Sequence, residues 1–420
     1  MEKVKAIVLG AGSRGNAYAQ YSLARPEELQ ITAVAEPDPA RREQFAAKYG
    51  LTADACFESW EEILDRPKMA DAVFVCTMDD MHTAPALKAL QLGYHVLLEK
   101  PMSNRAEECL AIERAAEESG RALTVCHVLR YTSFYRTLKS LIDEGEVGQV
   151  QTVDQIENVG YWHQAHSFVR GNWRNSDLSS PMILQKSCHD LDIISWLIGR
   201  PCLYVSSFGS LSHFTKEHRP AGAPDNCMEG CPQSGDCPYY APKVYLTGKT
   251  GWPVDVLTTD LTPAGIEKAL REGPYGRCVY ACDNNVVDHQ VVNMEYEGGA
   301  TASFTMTAFT ADFTRQIKIM GTRGQIMADM TKGEIRLHRF GEEERRISPE
   351  ETAADGFGHG GGDFGIVENF LRLVNGRGDN LTSARASIQS HLMCFAAEKS
   401  RLEHRTVSLS EMAESEGKPE

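Results

Sequence analysis

No apolar run in this 420-residue sequence approaches the length of a membrane span. Basic charge is also in short supply: 43 Lys and Arg against 58 Asp and Glu leave a formal charge of −15. A surface of that sign repels polyanions, which argues against a nucleic-acid partner. No export signal is expected, because Met1-Glu2-Lys3-Val4-Lys5 passes straight into an apolar strand; the expected compartment is the cytoplasm. Nor is the composition disorder-prone, since 42% hydrophobic and 24% charged residues are globular values. Cysteine is not scarce. Twelve are present, and without an export signal they read as reduced thiols or metal ligands rather than disulfides. The length predicts two domains.

What is present is organised around His95-Val96-Leu97-Leu98-Glu99-Lys100-Pro101, an apolar strand ending in a carboxylate, an amine and a proline. Ligands of an open parallel sheet bind beyond the carboxyl ends of its strands. The proline stops pairing there and holds Lys100 extended. Lys100 is therefore the expected proton-handling residue of a nicotinamide-dependent enzyme. Earlier, Lys5-Ala6-Ile7-Val8-Leu9 reads as a buried strand, followed by Gly10-Ala11-Gly12-Ser13-Arg14-Gly15 and a helical run from Asn16. Gly10, Gly12 and Gly15 suit a tight turn that approaches a pyrophosphate at a helix N-terminus, with Ser13 and Arg14 beside it. A second strand ends at Glu36, 21 residues after Gly15, where a carboxylate holds a ribose 2′-OH and repels a 2′-phosphate. NAD is thus expected over NADP, although Arg41 and Arg42 follow closely. A strand over 72–77 brings Thr77 and the loop 78–82 beside the cofactor. His82 reads first as a helix-capping or packing residue and second as a cofactor contact. Strands keep alternating with helices as far as His127, the pattern of a doubly wound parallel sheet and an α/β fold.

The strand–GAGSRG–helix start, the AVAEPDP end of the second strand, the HTAPALKALQLGYHVLLEKP run and the later KSCHDLDIISWLIG segment resemble the Gfo/Idh/MocA oxidoreductases. The resemblance implies an N-terminal Rossmann domain, 1–127, and a C-terminal α/β domain, 128–420, with a large open, mostly antiparallel sheet. It implies NAD(P)-linked oxidation or reduction of sugars, cyclitols and related polyols, and assembly as a homodimer or homotetramer through the outer face of that sheet. Lys100 becomes the catalytic lysine, with Glu99 at the cofactor and a cis bond before Pro101. The family's Asp-x-x-x-His pair falls on Gln185-Lys186-Ser187-Cys188-His189, so His189 matches and the acid is replaced; Asp192 matches a further acid. On a helix over 187–198, residues 189 and 192 share a face, as do 185 and 189. A histidine facing the nicotinamide takes the hydroxyl proton or orients it for Lys100. The lost acid leaves that division open and brings Lys186 into consideration. A buried helix-start histidine bonded to backbone is the plainer reading of His189.

Residues 161–174 are dense in aromatic, His and Arg side chains, and His166, Arg170 and Trp173 suit a polyol site. An exposed loop packing on a dimer partner explains them nearly as well. Arg130 and Tyr131 are similar candidates. His359-Gly360-Gly361-Gly362-Asp363 permits close backbone approach to a ligand, or is only a mobile loop. Cys227, Cys231 and Cys237 lie in an irregular stretch and could hold a structural zinc with Cys278, Cys282 or His213, free thiols being the alternative. Hairpins are expected over 291–307 and 316–339, a helix over 384–400, and a polar tail over 411–420. Three functions compete: an NAD-dependent dehydrogenase of a sugar, glycoside or inositol; a glycosidase that retains NAD and works by transient oxidation and elimination; and a non-enzymatic NAD/sugar-sensing regulator.

Overall fold

The computed structural model describes residues 2–349, 356 and 358–414. The expected tail over 411–420 lies mostly outside the described residues; the part inside, to Glu414, closes a short helix. Two sheets carry the architecture. The first has six strands, β1 (Val4–Leu9), β2 (Leu29–Ala35), β3 (Cys56–Phe57), β4 (Ala72–Val75), β5 (His95–Leu98) and β6 (Leu123–Val125), in the order β3-β2-β1-β4-β5-β6. Every pairing is parallel. Its central strands are apolar on both faces because helices cover both, among them α1 (Ser13–Ala19), α2 (Thr83–Gln91) and α3 (Ala106–Ser119). The order reverses between β1 and β4, so the turns leaving these strands and β5 open a crevice at one edge.

The chain then forms α4 (Ser133–Asp143), β7 (Val150–Asn158) and α5 (Cys188–Ile198). A second sheet is completed by β8 (Cys202–Ser210), β9 (His289–Tyr296), β10 (Thr301–Thr307), β11 (Thr314–Gly321), β12 (Gly324–Asp329), β13 (Glu334–Arg339), β14 (Arg345–Ile347) and β15 (Val407–Ser408). These nine strands run in the order β14-β13-β12-β11-β7-β10-β9-β8-β15, and only β7 with β10 is parallel. Alternation along β9 buries Val292, Met294 and Tyr296 against helices, as a sheet with one covered face requires. Both expected hairpins are present.

Two features were not legible beforehand. Helix α6 (Gly362–Val374) packs Ile366, Val367, Phe370 and Leu371 into the core of the first sheet, with Phe370 5.9 Å from Phe74. The C-terminal part of the chain thus closes one face of the Rossmann domain, and α7 (Ala384–Glu403) contributes Ala384 to its other core while packing mainly on the second sheet. The stretch holding Cys227, Cys231 and Cys237 is irregular as expected, but the longer segment between β8 and β9 builds a small core of its own from Cys227, Ala241, Tyr245, Val254, Ile266, Leu270 and Tyr275. Among the described residues, no helix is long and apolar enough to cross a membrane.

Candidate active site

The glycines of the first turn do different jobs. At Gly10, φ is 92° and a Cβ would stand 2.5 Å from the Cys76 carbonyl oxygen, so the turn lies tight against the exit of β4. A Cβ at Gly15 would sit 2.0 Å from the Gly10 carbonyl oxygen, which locks α1 onto the turn. A Cβ at Gly12 would meet nothing within 4 Å. That open side, backed by backbone N–H groups, is where a pyrophosphate fits. Glu36 is buried beside it, with Oε2 accepting from the Ala11 N–H at 2.8 Å and Oε1 from the Asp38 N–H at 3.1 Å. The carboxylate is braced at the end of β2, the position from which an acid reaches a ribose. These residues fit a dinucleotide.

Several expected cofactor contacts are occupied elsewhere. Arg14 turns from the phosphate side and donates through Nε to Glu99 at 2.7 Å and through Nη2 to Asp363 at 2.6 Å. Glu99 also accepts from the Tyr18 hydroxyl at 2.6 Å and from the Lys100 N–H at 2.6 Å. Burial opposes its ionisation, but Arg14 and Lys100 outweigh burial and hold its pKa below the ordinary value. His82 is buried with both ring nitrogens against backbone carbonyls, Pro101 at 2.7 Å and Thr77 at 3.1 Å. It ties the turn after β5 to the exit of β4 and is a packing residue. The Thr77 hydroxyl donates to its own loop, to the Met81 carbonyl at 3.2 Å.

Lys100 leaves β5 through a cis bond to Pro101, and its Nζ donates to the Gln185 carbonyl oxygen at 2.6 Å. Position 185, which lacks the family's acid, therefore holds the lysine through its backbone. One turn on, His189 opens α5, buried, with Nδ1 lacking a hydrogen-bond partner. Burial first, then Lys100, His127 and His359 nearby, hold its pKa well below the ordinary histidine value. A neutral imidazole beside a lysine is what a proton acceptor requires. His189 belongs to a row: its ring centroid lies 5.7 Å from His127, which lies 5.4 Å from His391, and 6.2 Å from His359 on the other side. His391 accepts from the Met102 N–H at 2.9 Å through Nε2 and pins the loop after the cis proline. His127 and His391 carried no local signal, because each lies amid apolar residues of a strand end or a helix.

The remaining expected substrate ligands have partners within the protein. Arg130 donates two bonds to Asp192, at 2.7 and 2.6 Å, and a third to the Leu381 carbonyl at 2.8 Å. Both are buried, so each serves the other rather than a substrate. Lys186 pairs with Glu157 at 2.9 Å, and burial lowers its pKa despite that partner. Arg315 bridges Glu157 at 2.5 Å and Asp190 at 2.8 Å, which completes a buried set of two cations and two carboxylates beneath α5. Burial raises Asp190, while Arg315 and Lys186 keep Glu157 ionised. His166 stacks on Tyr275 at 4.8 Å and bonds the Tyr245 hydroxyl at 2.9 Å; Arg170, 1% exposed, donates to the carbonyls of Arg277 and Tyr239, both at 2.7 Å. Both anchor the segment between β8 and β9. Trp173 Nε1 donates to Asp79 at 3.2 Å across the seam between the domains. Cys227, Cys231, Cys237 and Cys278 line a cavity of about 20 Å³. Among the described residues no three His, Cys, Asp or Glu side chains are gathered as a metal site, so the zinc expectation is withdrawn and the thiols are packing groups.

Two family models match: an oxidoreductase-family NAD-binding Rossmann fold over residues 4–127, and the C-terminal alpha/beta domain of the same oxidoreductase family over 139–409. The chain belongs to the Gfo/Idh/MocA oxidoreductase family. It is 26% identical to YteT of Bacillus subtilis (strain 168) over 358 residues, 81% of this chain and 82% of that protein. It is 29% identical over 202 residues to an inositol 2-dehydrogenase of Burkholderia lata, 48% of this chain; it thus spans about half, 55%, of that relative's length. The WlbA dehydrogenase of Chromobacterium violaceum, solved with NADH and UDP-GlcNAcA, superposes with a TM-score of 0.68 at 19% identity, covering 97% of this chain and 96% of that one. An oxidoreductase domain protein from Kribbella flavida gives 0.72 at 19% identity, covering 97% and 100%. At such identities these structures establish the fold alone.

Proposed function

We propose that this member of the family is an NAD-dependent oxidoreductase acting on a ring hydroxyl of a sugar, glycoside or inositol-type polyol. The observation that supports it most is the bond from Lys100 to the Gln185 carbonyl one turn before His189, which brings the amine near enough to help keep that histidine neutral. A nicotinamide dinucleotide held at the glycine turn and Glu36 would supply the hydride acceptor. The chain's own residues manage the proton. Lys100 is oriented by the Gln185 carbonyl and donates to the substrate oxygen, while His189 accepts the hydroxyl proton. Glu36 favours NAD over a 2′-phosphorylated cofactor. The outer sheet face exposes Phe208 opposite Val291, which suits a homodimer or homotetramer.

A second reading, the NAD-retaining glycosidase, is favoured by one feature. Trp252 and Phe313 are 45% and 41% exposed, and His163 lies between them at 5.0 and 5.1 Å. This aromatic rim begins beside Lys186, whose Nζ is 5.0 Å from the Phe313 ring centroid, and a second sugar or an aryl group could stack on it. Release of nitrophenol from an aryl glycoside without net NADH would establish that reading over the first. The cofactor site is tested by Gly12→Asp. With nothing within 4 Å of its Cβ, this change has room in the fold and sets a carboxylate where a pyrophosphate would lie. NADH affinity should fall at least ~10-fold, the scale of one adverse charge contact of ~1.4 kcal/mol. Unchanged NADH binding would place the cofactor elsewhere.

A further inference from the structure

One cluster beside the crevice has no part in this chemistry so far. The loop before α6 is tightly wound: Gly360 and Gly361 have φ of 59° and 84°, and His359 itself is held at φ 54°, where a residue other than glycine is uncommon. A Cβ at Gly358 would stand 2.2 Å from Asp363 Oδ2, and one at Gly362 would stand 2.4 Å from the Val128 carbonyl oxygen. The loop therefore closes around the Asp363 carboxylate, whose two oxygens meet His359 Nδ1 at 3.0 and 3.2 Å. Asp363 is buried and takes two bonds from Arg14, which also reaches Glu99 next to Lys100. Burial opposes the charge on Asp363, but Arg14 and His359 outweigh it and keep the carboxylate ionised. An ionised carboxylate at Nδ1 fixes the proton on that nitrogen and leaves Nε2 as an acceptor.

On its other side the His359 ring faces His189, 6.2 Å between centroids, a gap that one water or hydroxyl oxygen can bridge. Within the row of four histidines, His127 and His391 have no exposed surface and His189 has 6%. The His359 side chain is 40% exposed. The ring with an open route to solvent is thus the one that a buried carboxylate orients, on a strained backbone.

We propose that His359, oriented by Asp363, is the proton exit of this active site, carrying to solvent the proton that the substrate hydroxyl gives to His189. The proposal rests on the oxidoreductase reading. Only a proton moves: the substrate O–H bond breaks and an N–H bond forms on His189. The proton then passes to His359 Nε2 and to water, and each ring returns to its neutral form. Asp363 faces His359 at Nδ1 with Arg14 and Glu99 behind it, and His189 faces it across the gap with Lys100 behind. His359 acts through His189 and is a positioning residue rather than a group on the reacting carbon.

The test uses the full-length chain with 15N-labelled histidine and bound NAD+, whose nitrogen shifts report the tautomer, with His359→Asn assigning the signal. The proton should lie on Nδ1, and Asp363→Asn should move it towards Nε2. In parallel, His359→Gly tolerates the left-handed backbone and leaves a ring-sized gap. With the sugar or inositol that supports turnover, its kcat should fall ~10- to 100-fold with KM within about twofold, and added imidazole should restore most of the loss. A proton on Nε2 in the unmodified chain, an unchanged kcat, or a loss that imidazole leaves in place would overturn the exit while leaving the oxidoreductase reading intact. No turnover on any sugar, glycoside or inositol would overturn that reading and the exit with it.

Discussion

Residues 161–174 carry two histidines, two arginines and two tryptophans, more reactive chemistry per residue than the start of α5, yet Lys100 bonds Gln185, one turn before His189 of α5. His166 and Arg170 find partners in the segment between β8 and β9, in Tyr245, Tyr275, Tyr239 and Arg277. His189 lies where both domains converge, with Lys100 from the first and His359 from the loop before α6. Each stretch leaves a buried ring nitrogen without a partner, His163 Nδ1 in one and His189 Nδ1 in the other, so an unsatisfied atom does not separate them. What separates them is the lysine delivered by another strand. Density of polar residues marks an anchor here, and convergence of elements supports the proposed site.

The contrast breaks most sharply through His189→Gln. Turnover should fall ~100- to 1,000-fold, the range for losing a positioned acid or base, with thermal stability nearly unchanged. A loss of stability with activity per folded molecule intact would make His189 an anchor too. Arg170→Leu should do the reverse. It strands two buried carbonyls and removes a packed side chain, at a cost of about 3 kcal/mol in urea unfolding, while kcat of the folded enzyme holds within about twofold.

Acid sharpens the contrast with a smaller effect. Burial lowers His166 and His391 to about 3, whereas an unfolded histidine protonates near 6.5. Between those values the unfolded chain binds more protons, so their stabilisation is complete above about pH 6.5 and is lost as pH falls towards 3. At pH 5 each ring should account for about 2 kcal/mol of lost stability. Unfolding free energies measured at pH 7.5 and 5 should show it, and His166→Phe should remove one share. Equal stability at both pH values would mean that these rings protonate without penalty.

Part of this is legible in the residue order alone. The glycine turn, the strand ending at Lys100 and the hairpins over 291–307 and 316–339 declare themselves through residue order, because their physics is local. The pairing of charges is not local. Arg130 meets Asp192 across 62 residues and Arg14 meets Asp363 across 349, and no spacing rule announces such partners. Arg130, Lys186 and Asp192 therefore looked like free ligands. Helix α6 shows an apolar face in sequence, but nothing in that face says which sheet it covers. The Asp363–His359 pair was visible as a motif, yet its meaning depends on the buried Arg14 behind it.

That Lys100 and His189 form the reacting site is the central proposal. It is tested most directly by absorbance at 340 nm with NAD+ and a panel of sugars, glycosides and inositols, for the unmodified chain and Lys100→Ala side by side. A steady rise is expected on at least one substrate, lowered ~1,000-fold or more in the variant, the scale of a lost catalytic group, with NADH binding retained. An equal rise from Lys100→Ala would contradict it.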